Sequence, residues 1–231
     1  MNILAIDTAS RTCSVAVCRD DRVMAEMIDG SGETHSRHLM RLVDRVLAMS
    51  TGDLQAVDAI AVNRGPGSFT GVRIGISTAK GLAAAADKPL VGVSGLAALA
   101  WQLAPTERLI CALLDARRKE VYCAHYRFQA GELETVRPES VCAPEDAVRD
   151  LEGSCVLIGD GVRAYRSQLK AFLGANFLTA PRFQHAIRAA AVAWAARLRL
   201  VLARDERRTL VPLYLRPSYA KEPVDKPAVN I

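Results

Sequence analysis

No stretch of the 231 residues is long and apolar enough to span a bilayer. The longest uncharged run, residues 89–106, contains Gly92 and Gly95 and stops near Pro105, so it reads as a buried strand followed by a helix. The apolar opening from Met1 to Thr8 is broken by Asp7, with neither a basic leader nor a small-residue cleavage site, and the expected compartment is the cytosol. Cysteine pairing signals are also missing. Cys13, Cys18, Cys111, Cys123, Cys142 and Cys155 form no Cys-x-x-Cys and no Cys/His zinc spacing. All but Cys142 lie in apolar, strand-like runs, so they are expected to be free buried thiols acting as small hydrophobes. No Ser/His/Asp or Cys/His arrangement is recognisable. A large excess of one charge is absent as well: 30 basic against 25 acidic residues give +5. That surplus is compatible with nucleic-acid contact without establishing it, and no aromatic–basic interleaving marks such a surface.

What is present is an ordinary globular composition, half hydrophobic, which excludes a disordered or fibrous chain. Three strands are predicted over residues 2–8, 13–18 and 23–28, followed by a helix over residues 36–49. Leu39, Leu42, Val43, Val46 and Leu47 recur along that helix at three- and four-residue steps, with Arg37, Arg41, Asp44 and Arg45 opposite. A strand over 56–63, a glycine-rich loop, a helix over 71–86, a strand over 89–93 and a helix over 94–104 complete the first half. Residues 105–108 form the expected boundary, giving two units, 1–104 and 105–231. The second unit restarts with strands over 109–114 and 121–128, then a short helix over 144–151, a strand over 155–158, a turn at Gly159-Asp160-Gly161, helices over 164–173 and 185–204, and a proline-containing extended tail. Each half opens with strands joined by tight turns and then becomes helical, which predicts two related α/β subdomains.

The loop Arg64-Gly65-Pro66-Gly67-Ser68-Phe69-Thr70-Gly71 is the sharpest local feature. Ser68 or Thr70 can cap the following helix, and a strand–glycine loop–helix N-terminus offers backbone N–H groups to a phosphate or carboxylate. Neither nucleotide fingerprint fits: no Gly-Lys-Ser/Thr follows, and Thr70 stands where the third glycine of G-x-G-x-x-G belongs. Anion binding through Gly65, Gly67, Ser68, Thr70 and Gly71 therefore competes with a purely structural turn. Asp7, at the end of the first strand, stands where actin-like and sugar-kinase ATPases place a magnesium-associated Asp. Ala9 replaces the glycine usual two residues later, and an Asp capping a turn is the alternative. His35 and His38 form an H-x-x-H at a helix start without a third ligand nearby. Gly71, Gly75, Ala79 and Ala83 recur every four residues as a strip of small side chains that another helix can approach closely, either within the chain or from a partner.

Taken together, several segments resemble the bacterial TsaB (YeaZ) family. They are Ile6-Asp7-Thr8, His35-Ser36, the run from Gly65-Pro66-Gly67-Ser68-Phe69-Thr70-Gly71 through Val72-Arg73-Ile74-Gly75, Ala79-Lys80-Gly81, Asp115-Ala116-Arg117-Arg118-Lys119-Glu120-Val121-Tyr122, Gly159-Asp160-Gly161 and Pro212-Leu213-Tyr214-Leu215-Arg216. The resemblance spans nearly the whole chain. It implies two subdomains of the actin-like ATPase (RNase H-like) fold, with mixed sheets flanked by helices. It also implies a non-catalytic role in making threonylcarbamoyladenosine next to the tRNA anticodon. The implied partners are TsaD, as a heterodimer, and TsaE, with tRNA reached through the complex and a homodimer when the chain is alone. In TsaD-like chains two histidines, H-x-x-x-H, bind the catalytic metal; here Gly95 and Leu99 stand in those places, so no metal and no intrinsic cofactor are expected, with ATP or ADP at or near the partner interface. The implied partner interface is a helical bundle built on Leu39, Leu42, Val46 and the strip Gly71, Gly75, Ala79 and Ala83. A free-standing ATPase or kinase using Asp7 and the Gly65 to Gly71 loop is the competing function, and a zinc peptidase a third.

Overall fold

In the computed structural model residues 1–32, 35–149, 151, 154–202 and 204–216 are described. Strands β1 (Asn2–Asp7), β2 (Cys13–Arg19), β3 (Arg22–Asp29), β4 (Ala59–Asn63) and β5 (Leu90–Val93) form one sheet in the order β3-β2-β1-β4-β5. Neighbours β1, β2 and β3 are antiparallel, whereas β4 is parallel to β1 and β5 to β4. Helix α1 (His35–Ser50) leads into β4, and α2 (Phe69–Ala86) leads into β5. These crossovers are what parallel pairing requires. The sheet is buried on both faces. Leu4, Ile6, Val15, Ile60 and Val62 point to α1 and α2, while Ile3, Ala5, Ala16, Ala59 and Ala61 point the other way.

The second sheet, in the order β8-β7-β6-β9, comprises β6 (Leu109–Arg117), β7 (Glu120–Gln129), β8 (Glu132–Cys142) and β9 (Cys155–Ile158). Its grammar repeats the first: β6 pairs antiparallel with β7 and parallel with β9, as β1 does with β2 and β4. This is the mixed-sheet arrangement of the actin-like ATPase fold, given twice. Helix α3 (Gly95–Trp101) and the alanine-rich α6 (Ala189–Val201) share a core with both sheets. The outer face of the second sheet packs against α4 (Asp160–Ala164) and α5 (Arg166–Leu173) through Val162 and Leu169.

Several expectations need correction. Residues 144–149 form turns rather than a helix, and β8 was not expected at all. The predicted turn at Gly159-Asp160-Gly161 runs straight into α4. Helix α6 starts at Ala189, not near residue 185, because its first amides are held from β3: Glu26 Oε1 accepts from Ala190 N at 3.0 Å, and Glu26 is ion-paired with Arg188. Part of the second half also returns to the first sheet. Glu206 N donates to Leu90 O, Glu206 Oε2 accepts from Gly92 N, and Leu213 N donates to Arg64 O. The division at residue 104 separates the strands of the two sheets but not their packing. The predicted tail is pinned as far as Arg216, and its remainder lies outside the described residues.

Candidate functional site

The ends of β1 and β6 and the loop after β4 meet at a cleft of about 480 Å³, lined by Ser10, Arg11, Gly67, Ser68, Asp115 and Asp160 among others. It is shaped by close backbone approach. Ser68 N donates to Ala9 O at 2.7 Å, and a Cβ on Gly67 would run into that same Ala9 carbonyl. Deeper in, Thr8 Oγ1 donates to Gly71 O at 2.7 Å, and a side chain on Gly71 or Gly75 would collide with Thr8. Only glycine at positions 67, 71 and 75 lets α2 and its loop close over the β1–β2 turn.

That closure decides what the loop can do. Gly65 N donates to Asn63 Oδ1, Ser68 N to Ala9 O and Gly71 N to Ser68 Oγ, so these three amides are engaged within the chain. Ser68 is the N-cap of α2, and Thr70 lies exposed on its first turn. Asp7 is fully buried and does not line the cleft. Its Oδ1 accepts from Asn63 Nδ2 at 2.6 Å and from Ala9 N at 3.1 Å, while Oδ2 is buried without a hydrogen-bond partner among the described residues. Burial pushes its carboxyl up to about 7, against the lowering effect of those two donors. These groups do not fit a magnesium–nucleotide hung on Asp7 and the glycine loop, and no hydrolytic step follows from them.

The carboxylates that face the cleft are Asp115 and Asp160, which sequence reasoning did not single out as site residues. Asp160 Oδ1 accepts from Asp115 N at 2.9 Å, and burial with the neighbouring Asp115 charge raises its carboxyl. Asp115 in turn accepts from Arg117 N and from Tyr165 Oη, and it is ion-paired with Arg117 at 3.1 Å. A signal was available: Ile6-Asp7 and Leu114-Asp115 each end the inner part of a leading strand.

The remaining candidates disperse. His35 Nε2 lies 2.9 Å from Ser10 O, and His38 Nδ1 lies 3.5 Å from Asp29 Oδ2. No group of three or more His, Cys, Asp or Glu among the described residues is arranged to hold a metal ion. A Cβ on Gly95 would come within 2.7 Å of Asn63 Nδ2, the group that holds Asp7, and Leu99 is fully buried in the core. The two positions that the resemblance sets against those histidines are thus taken up by packing. The expected partner face also needs correcting. Gly71, Gly75, Ala79 and Ala83 are buried against the chain's own β1, β4 and Thr8, and Leu39, Leu42 and Val46 are buried in the same core. The strip is intramolecular packing. Helix α2 exposes Phe69, Thr70, Arg73, Ser77, Gly81, Ala84 and Ala85, with Ile74 and Thr78 half-buried among them, and a Cβ on Gly81 would meet nothing within 4 Å.

Comparison with known proteins agrees with this architecture. Residues 29–224 match the family described as TsaD, tRNA N6-adenosine threonylcarbamoyltransferase. The chain is similar to the tRNA threonylcarbamoyladenosine biosynthesis protein TsaB of Escherichia coli K12, 40% identical over 71% of this chain and 74% of that one. To the protein of the same name from Bacillus subtilis 168 it is 34% identical over 80% and 82%. The solved structure of YeaZ from Pseudomonas aeruginosa superposes with a TM-score of 0.78 at 29% identity, covering 93% of this chain and 99% of that one. A further Pseudomonas aeruginosa structure, described as similar to peptidase YeaZ, gives 0.80 at 30% identity with the same coverage. With its paired sheets and closed glycine loop, the chain belongs to the TsaB (YeaZ) family.

Proposed function

We propose that this chain is a non-catalytic subunit for making threonylcarbamoyladenosine next to the tRNA anticodon, and that it acts by binding a TsaD-type subunit and stabilising its active form. One observation carries the reading. The outer face of α1 and α2 leaves Met40 and Met49 exposed on α1 among Arg37, Arg41, Asp44 and Arg45, and leaves Ser77 and Gly81 exposed on α2 beside the half-buried Ile74 and Thr78. Small side chains at a helix–helix crossing permit close approach, and exposed methionines adapt to a partner's contour. The catalytic metal belongs to the partner in this reading, TsaE joins the assembly, tRNA is reached through the complex in the cytoplasm, and any ATP or ADP sits at or near the interface. The same face accounts for a homodimer when the chain is alone.

Gly81→Arg is the test. Because the site is open, the side chain fits the isolated chain but would hold a partner helix away, and burying its charge unpaired would be costly. After co-expression with a TsaD homologue, the variant should fail to co-elute in size-exclusion chromatography and should lower tRNA modification at least tenfold, with the thermal midpoint of the isolated chain not lowered. Normal co-elution would place the interface elsewhere.

A further inference from the structure

The geometry points to a reversible dithiol–disulfide site at Cys123 and Cys142, formed between strands β7 and β8 in response to peroxide. The two sulfurs lie 3.5 Å apart. Cys123 is buried on the inner strand β7, whereas Cys142 ends the edge strand β8 and is half-buried, so solvent reaches the pair from its side. Val121 pairs with Cys142 and Cys123 with Ser140, which sets the two thiols on one face as diagonal neighbours. The ladder is irregular immediately beyond, between Cys123 and His125, where a bulged edge can shift more easily than a regular central strand. Closing the sulfurs from van der Waals contact to a bond of about 2.05 Å needs a movement of that local kind.

The other thiols show how unusual this pair is. Burial pushes Cys13 and Cys18 up to about 12, and Cys111 donates to the Ala147 carbonyl. Cys123 instead has two hydroxyl- or thiol-bearing neighbours, Cys142 and Ser140, the latter at 3.3 Å. Their hydrogen bonds pull its thiol down to about 6, while the same sharing raises Cys142. The 3.5 Å contact lets a proton pass between the two sulfurs.

The chemistry balances with peroxide as oxidant. The Cys142 proton passes to the Cys123 sulfur 3.5 Å away, and the solvent-facing Cys142 thiolate attacks one peroxide oxygen, forming an S–O bond as the O–O bond breaks. The leaving hydroxide takes the thiol proton as water, leaving a sulfenic acid at Cys142. The Cys123 thiolate then attacks that sulfur; the S–S bond forms, the S–O bond breaks, and hydroxide leaves to be protonated by solvent. Two electrons pass from the two sulfurs to peroxide, and a dithiol reductant reverses the change.

The test is peroxide titration of the purified, reduced full-length chain, followed by intact mass and non-reducing peptide mapping. The expected result is loss of two hydrogens and a peptide crosslink joining Cys123 to Cys142, reversed by dithiothreitol. In Cys142→Ser the crosslink should vanish and Cys123 should stay alkylatable, while Cys18→Ser leaves it intact. Sulfinic acid at Cys142 with Cys123 still a free thiol would overturn the proposal, as would a crosslink that uses another cysteine. So would a pair that remains reduced at peroxide levels that oxidise glutathione.

Discussion

A carboxylate with one oxygen held by Asn63 and Ala9 and the other without a donor is costly to ionise, and Asp7 is such a group. Its carboxyl titrates near 7 in the folded protein, against about 3.9 when the chain is unfolded. Between those values the native state binds the extra proton, so the stability it provides is complete below about pH 4 and falls as pH rises through 7. A shift of this size corresponds to roughly 4 kcal/mol at full burial, an order-of-magnitude figure. Asp160, raised for the same reason, adds in the same direction. Asp7→Asn keeps the acceptor oxygen for Asn63 and Ala9 but cannot ionise. Urea unfolding at pH 5 and pH 8 should therefore show a larger loss of stability in the parent than in the variant. Parallel losses would mean that Asp7 is already ionised at pH 5. In sequence, Asp7 looks like a magnesium-associated aspartate; its burial behind Ala9 makes it a structural one, and Ala9 was the residue that hinted at the difference.

At the scale of elements, α2 carries two kinds of glycine that sequence spacing alone does not separate. Gly75 faces inward onto Thr8 and Val62, whereas Gly81 faces outward. Gly75→Ala should lower stability by about 1–3 kcal/mol through overpacking. Gly81→Ala should raise it by about 0.5–1 kcal/mol, because alanine loses less entropy in a helix. Thermal melts of the two variants check both signs, and two equal shifts would show that the helix face is misassigned. The apolar runs of β1, β2, β4, β5 and β6 were legible because strands covered on both faces lack polar interruptions. Strand β8 was not legible. Its sequence Glu132-Leu133-Glu134-Thr135-Val136-Arg137-Pro138 is polar and contains a proline, a composition that an edge strand tolerates and a central strand does not. The inward face of the small-residue strip was hidden for a related reason: periodicity shows that a helix has a small face but not what lies against it.

Across the whole molecule, the repeated strand grammar was visible in sequence, while the closure between halves was not, since it rests on contacts more than a hundred residues apart. Helix α6 covers the face of the first sheet that bears Ile3, Ala5, Ala16, Ala59 and Ala61, and Glu26 of β3 holds the start of that helix. Leu210 then packs where a side chain on Gly92 would stand, and Arg199 bonds both Gly92 O and Glu206. The cleft residues Asp115 and Asp160 are brought to Ser10 and Gly67 by this same closure, so the site needs both halves. A fragment ending at residue 104 would retain every strand of the first sheet, yet one of its apolar faces would lie open to water. That fragment should be insoluble, or soluble without a cooperative urea transition, whereas the full chain should unfold in a single transition by both fluorescence and circular dichroism. A soluble fragment 1–104 with its own sharp transition would mean that α6 is a cover the first sheet does not need, and the two halves would then be separable units.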